Sequence, residues 1–164
     1  MAGRLLDSRA AFLAAAPIAI PLGYFGALYP LYVIAGIGVV ILLLDAHVVL
    51  WWLADDPGLD PGAGSAIADP TNDVLVSAAS IWEIEIKRAL GKLVAPTGLV
   101  TTIDEAGFDV LPITGHDAEK AGSLPPHHRD PFDRMLVAQA DRIGAIVVSR
   151  DRVFLAYGTD VLGS

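Results

Sequence analysis

The 164-residue sequence has no cysteine. Disulfides and thiolate metal sites are therefore excluded, which fits a reducing compartment without proving one. Positive charge is also scarce: 11 Lys and Arg stand against 19 Asp and Glu, a formal net charge of -8. A protein that grips nucleic acid mainly through many phosphate contacts is usually basic, so this balance argues against such a binder. It does not argue against a carboxylate site built for a divalent cation, because the ligands count as negative charge while the ion is not counted. The chain also lacks internal repeats, low-complexity segments and β-hairpin turn signals, and its length suits one domain with a self-sufficient core.

Charge of either sign is missing altogether from Ala10 to Leu44. A run that long and apolar exceeds the roughly 20 residues that span a bilayer. It follows Arg4 and Arg9, as a signal or anchor segment would. Pro17, Pro21 and Pro30, with Gly23, Gly26, Gly36 and Gly38, interrupt it and make a poor continuous helix. Two readings stay open: a membrane anchor through residues 10–38, or a start assigned too far upstream, with initiation near Val39 or Val40. The prolines favour the second, and with it a cytoplasmic protein. The expected division is an apolar extension over residues 1–38 and one folded domain over residues 39–164.

What is present reads as alternating strands and helices. Val39 to Leu44 is a β-branched and leucine run ending abruptly at Asp45, the pattern of a strand buried on both faces. Val48–Leu53 reads as helical and Asp55–Gly64 as turn-rich. Val74–Val76 predicts a second strand, Ile81–Leu90 a helix opened by Ser80 and closed by Gly91, and Phe108–Ile113 a third strand. His116–Gly122 predicts a short helix, Leu124–Pro131 a loop, Pro131–Asp141 a helix, Ala145–Ser149 a fourth strand and Val161–Leu162 an edge strand. This alternation indicates an α/β sandwich around a mainly parallel sheet.

In such sheets ligands bind beyond the carboxyl ends of the strands. Asp45 ends the first strand and Asp151 follows the fourth, while Glu83 and Asp133 are expected in the first turns of helices that face the same edge. Four carboxylates from distant parts of the chain can converge there, and hard oxygen donors suit Mg²⁺ or Mn²⁺. Three of the four have structural readings as well. Ser80-Ile81-Trp82-Glu83 has capping-box spacing, Asp130-Pro131-Phe132-Asp133 is an ordinary helix start with Asp130 as cap, and Asp151 can open a turn or short helix. Asp45, directly behind an apolar strand, is hard to explain by capping alone.

Four segments occur in order: Leu42-Leu43-Leu44-Asp45-Ala46-His47-Val48, Ser80-Ile81-Trp82-Glu83-Ile84, the run from His127 through Asp130-Pro131-Phe132-Asp133-Arg134 to Ala140, and Val148-Ser149-Arg150-Asp151. Together they resemble the VapC branch of the PIN-domain family, over about Val40 to Leu162. The resemblance implies a PIN-like three-layer α/β/α sandwich and a Mg²⁺- or Mn²⁺-dependent endoribonuclease. It also implies the toxin half of a toxin–antitoxin pair, blocked by a VapB-like antitoxin, with RNA as substrate and a homodimer as the usual assembly. Residue by residue it places the four acids, as catalytic and metal-binding groups, on Asp45, Glu83, Asp133 and Asp151. Asp130 remains a cap that can touch the metal's waters, and Ser149 a supporting group behind the last acid. A DNA nuclease, and a degenerate or membrane-tethered PIN binding module, are the competing readings.

The remaining polar and aromatic residues divide less sharply. His47, His116, His127 and His128 read as exposed loop histidines, since the family does not use histidine as a ligand, with a minor part in holding RNA as the open alternative. Trp51, Trp52 and Trp82 read as core or partner-groove residues. Lys87, Arg88, Lys92, Arg129, Arg134, Arg150 and Arg152 flank the acids, either as a phosphate-handling margin or as solvated helix faces.

Overall fold

A computed structural model of the chain describes residues 39–163. The anchor or upstream start expected over residues 1–38 lies outside these residues. Among those described, no helix is long and apolar enough to cross a membrane.

Strand β1 (Ile41–Leu44) is the centre of a five-stranded sheet, and Leu42, Leu43 and Leu44 are fully buried. The uninterrupted apolar run has a direct cause. Leu42 and Leu44 point into one core with Val76, Ile84, Ile103 and Val148, while Leu43 points into a second with Leu136, Val147 and Phe154. Helices cover both faces, so neither face of the strand meets water. Beside β1 lie β2 (Asp73–Ser77) on one side and β4 (Ile146–Val148) on the other, followed outward by β3 (Asp109–Leu111) and β5 (Val161–Leu162). The order is β3-β2-β1-β4-β5 and every pairing is parallel. The chain runs from β1 towards β3 and then returns to the opposite side of β1. The sheet's switch point therefore lies between β1 and β4, where a crevice opens at the carboxyl edge.

Helix α1 (Ala46–Leu53) follows β1 directly. Helix α2 (Pro61–Ala68) occupies a stretch expected to begin as turns. Asp60 caps it by accepting from Ala63 N–H at 2.9 Å, and Pro61 opens it, so residues that look like loop formers serve here as a helix start. Helix α3 (Ala78–Ala89) begins earlier than Ser80. Its cap is Ser77, whose Oγ accepts from Ala79 N–H at 2.9 Å and donates to the buried amide of Gln139 at 2.6 Å. The capping-box reading of Ser80 and Glu83 is thus incorrect: the Ser80 hydroxyl donates to the Leu44 carbonyl at 3.3 Å, and Glu83 is in the second turn.

Helix α4 (Leu99–Glu105) was not anticipated; Leu99 and Ile103 bury its inner face against the first core. Helix α5 (Gly115–Ser123) is opened by a capping box between Thr114 and Asp117. Helix α6 (Pro131–Ile143) has Asp130 as cap and ends at Gly144 in the left-handed region, φ 67. A 3-10 helix (Arg152–Tyr157) joins β4 to β5 and is capped by Asp151.

Candidate metal centre at the carboxyl edge of the sheet

The four acids read from the sequence all line one open cleft of about 670 Å³ at the switch point, together with His47, Trp51, Lys87, His128, Asp130, Ser149 and Arg150. Asp45 leaves β1 with its backbone still in the sheet, its N–H donating to the Val148 carbonyl at 3.1 Å. It occupies the cap position of α1 yet makes no side-chain cap bond. Its Oδ2 instead accepts from the Ser149 hydroxyl at 2.7 Å, and that hydroxyl accepts from the Asp151 N–H at 3.0 Å. Ser149 is buried at the end of β4, so one hydroxyl fixes the acid of the central strand and the backbone of the last acid together.

Glu83 is almost fully buried, and Lys87, one turn further along α3, donates to its Oε1. That hydrogen bond, together with the charges of Glu83, Asp130 and Asp45, holds the Lys87 ammonium above its ordinary pKa against the opposing effect of burial. Asp133 is in the first turn of α6 with a largely covered side chain. Burial, and then the negative charges of Asp130, Asp45, Glu83 and Asp151, push its pKa up to about 7. Asp151 is exposed, and its Oδ1 accepts from Val153 N–H at 2.9 Å. Asp130 accepts from Phe132 N–H at 2.9 Å, as expected of a cap, but it also lines the cleft and adds to its negative charge.

The cleft therefore gathers more negative charge than its own cations offset. Lys87 answers Glu83, while Arg150 lies over the Trp51 ring at 5.3 Å. Arg134, one of the arginines expected at a phosphate-handling margin, is spent elsewhere. Its guanidinium donates to the carbonyls of Ala121 (3.1 Å), Leu124 (2.9 Å) and Pro125 (3.0 Å), tying α6 to the loop before it. An arginine next to an acid in sequence points away from it in space because successive helix residues project about 100° apart.

The histidine reading also changes. His128 is partly buried and lines the cleft, where one nitrogen and single carboxylate oxygens of Asp133 and Asp151 all lie within 4.8 Å of one another. Nothing in the local sequence separates it from His127, which packs edge-on against Tyr157 instead. Of the tryptophans, Trp52 packs on Phe108, Trp51 lines the cleft, and Trp82 is exposed with its ring edge-on to Phe132.

Carboxylates brought from four separate elements to the switch point of a parallel sheet make this a protein of the α/β class with an acidic, oxygen-lined cleft, the kind of donor set that hard divalent cations take. The donor set fits such an ion: it contains no sulfur, and the carboxylates of Asp45, Glu83, Asp130, Asp133 and Asp151 outnumber the cleft's cations, Lys87 and Arg150. Known proteins narrow the class. Residues 42–159 match the PIN domain family, and the chain belongs to it. It is 29% identical over 114 residues to Ribonuclease VapC22 of Mycobacterium tuberculosis, covering 68% of this chain and 87% of that protein. Among solved structures, DNA-bound VapBC from Salmonella typhimurium is similar with a TM-score of 0.56 and 16% identity, covering 75% of this chain and 97% of that one. VapBC2 from Rickettsia felis, bound to a promoter DNA fragment, gives 0.54 and 11%, covering 74% and 97%. At those identities the structural likeness speaks for the fold.

Proposed function

We propose that this chain is a Mg²⁺- or Mn²⁺-dependent endoribonuclease, the toxin of a toxin–antitoxin pair. The observation that carries the reading is the convergence of Asp45, Glu83, Asp133 and Asp151 on one open, polar cleft at the sheet's switch point. These four carboxylates would hold the ion, with Asp130 within reach of its waters. A bound Mg²⁺ supplies two things to phosphodiester hydrolysis: a more acidic water and stabilisation of charge on the phosphate. The chain's own groups do the rest. Ser149 keeps the Asp45 carboxylate turned into the cleft, and Lys87 offsets Glu83. The open shape admits a polymer rather than enclosing a small molecule.

The similarity to a protein named as a ribonuclease supports RNA as the substrate. The likeness in fold to chains of VapBC complexes supports a VapB-like antitoxin as partner, and a homodimer is the working unit we propose with it. The test is expression of Asp45→Asn and Asp133→Asn beside the wild type, with RNA 5′ ends mapped and growth followed. Both variants are expected to stay folded, to cut no RNA and to spare growth. Wild-type cutting or toxicity in both single variants would remove the assignment.

A further inference from the structure

Two observations about His128 point in different directions. By proximity it groups with Asp133 and Asp151, which is the appearance of a metal ligand. By hydrogen bonding it is something else. The Asp130 N–H donates to His128 Nδ1 at 2.9 Å, so the Nδ1 lone pair is taken by the backbone. An accepting Nδ1 carries no proton, and the 3.6 Å approach of Asp133 Oδ2 to the same nitrogen is therefore no ion pair. The neutral ring then carries its proton on Nε2. Among the described residues Nε2 has no hydrogen-bond partner, while the ring lines the cleft with its side chain about one-third exposed, 32%.

The backbone of His128 is held as well. The His128 N–H donates to the Tyr157 hydroxyl at 2.9 Å, and that hydroxyl donates to the Pro125 carbonyl at 3.1 Å. Arg134 reaches the His128 carbonyl at 3.4 Å and fixes the rest of the loop through the carbonyls already named. Backbone bracing at both ends of the residue, with the Asp130 N–H selecting the tautomer, positions His128 in a cleft otherwise lined mostly by acceptors.

We infer that His128 is a substrate-binding hydrogen-bond donor, not a metal ligand: its Nε2–H donates to a non-bridging oxygen of the RNA phosphate held beside Asp133 and Asp151. The inference rests on the ribonuclease reading. A neutral donor suits this place, since it engages a phosphate oxygen without competing with a cation for the carboxylates.

The test uses the full chain, with His128→Asn and His128→Ala beside the wild type. Asparagine accepts readily from the backbone N–H two residues on, so His128→Asn keeps the bond to Asp130 and loses only the distal donor. Initial rates of RNA cutting are measured on total bacterial RNA at mapped ends, and Mn²⁺ affinity is measured by calorimetry on the same proteins. The expectation is a loss of about tenfold or more in rate for both variants, the usual range for a hydrogen bond to a charged group, with Mn²⁺ affinity within about twofold of wild type. A tenfold weaker Mn²⁺ affinity in His128→Asn would make His128 a ligand and overturn the inference. Full activity in His128→Asn with loss only in His128→Ala would reduce it to a loop-bracing residue. A wild type that cuts no RNA removes the ribonuclease reading and this inference with it, whereas a cutting wild type beside an unimpaired His128→Asn removes the inference alone.

Discussion

Asp133 is held where its own burial and four nearby carboxylates all oppose ionisation. Its pKa in the folded chain, about 7, lies above the ordinary 3.8. Its contribution to stability is therefore fully present below the ordinary carboxylate range and is lost as pH rises through about 7. In EDTA, the wild type should lose Tm between pH 5 and 8 by more than Asp133→Asn, and the variant should be the more stable protein at pH 8 although it cuts no RNA. Differential scanning calorimetry at the two pH values checks this; a less stable variant at pH 8 would contradict it. Ser149→Ala tests the other end of the cleft. It removes the donor to a buried carboxylate and the acceptor of the Asp151 N–H, which should cost about 1–3 kcal/mol. It should also slow RNA cutting severalfold while leaving all four acids in the chain. Urea unfolding and initial rates measure the two effects.

Pairs of helices show a different balance between local signal and tertiary partner. The buried Asp117 of α5 is gripped by Arg142 of α6 through Nε at 2.6 Å and Nη2 at 3.2 Å, and by Thr114 of its own capping box. Burial raises the pKa of Asp117, but Arg142 and Thr114 together outweigh it and hold the pKa below 3.8. That stability is present above the ordinary carboxylate pKa and lost as pH falls through the depressed value. Asp117→Ala should cost about 3 kcal/mol at pH 7, and less as pH falls towards 3, in urea unfolding at each pH. The box was legible only in part: a short helix was expected from His116, but the partner that holds Asp117 lies 25 residues away. The same limit holds for α3. Spacing points to Ser80 as its cap, whereas the hydroxyl that caps it is that of Ser77, held in place by Gln139, 62 residues distant. Helix α2 was missed because its first residues have loop chemistry, and α4 because it is short and shows only Leu99 and Ile103 on a buried face. By contrast β1, β4 and α6 were readable, since each combines an unbroken apolar run or a clear cap with burial that follows from it.

For the whole molecule, the positions of the four acids were legible because the topology of a parallel sheet sends every strand's carboxyl end to one edge, whatever the details between. A part in holding RNA was open to all four histidines, but His128 could not be singled out, because tautomer and bracing depend on loop geometry that spacing does not encode. If the cleft takes a cation, binding must couple to global stability. At roughly 100 times its Kd a ligand that binds only the folded state stabilises it by about 2.7 kcal/mol, several degrees of Tm for a domain of this size. Mg²⁺ or Mn²⁺ should raise the wild-type Tm in thermal melts and leave Asp45→Asn nearly unmoved; equal shifts in both would place the ion elsewhere. The strand order carries one further consequence, concerning time. Strand β1 pairs with β4, although Asp45 at the end of the one and Ser149 at the end of the other stand 104 residues apart in the chain. Until that strand inserts, Asp45 has no Ser149 to orient it and Asp151 has no strand end to hang from. The cleft is therefore among the last features a refolding chain completes: a partly folded sheet of β1, β2 and β3 carries Asp45 and Glu83 without the groups that face them.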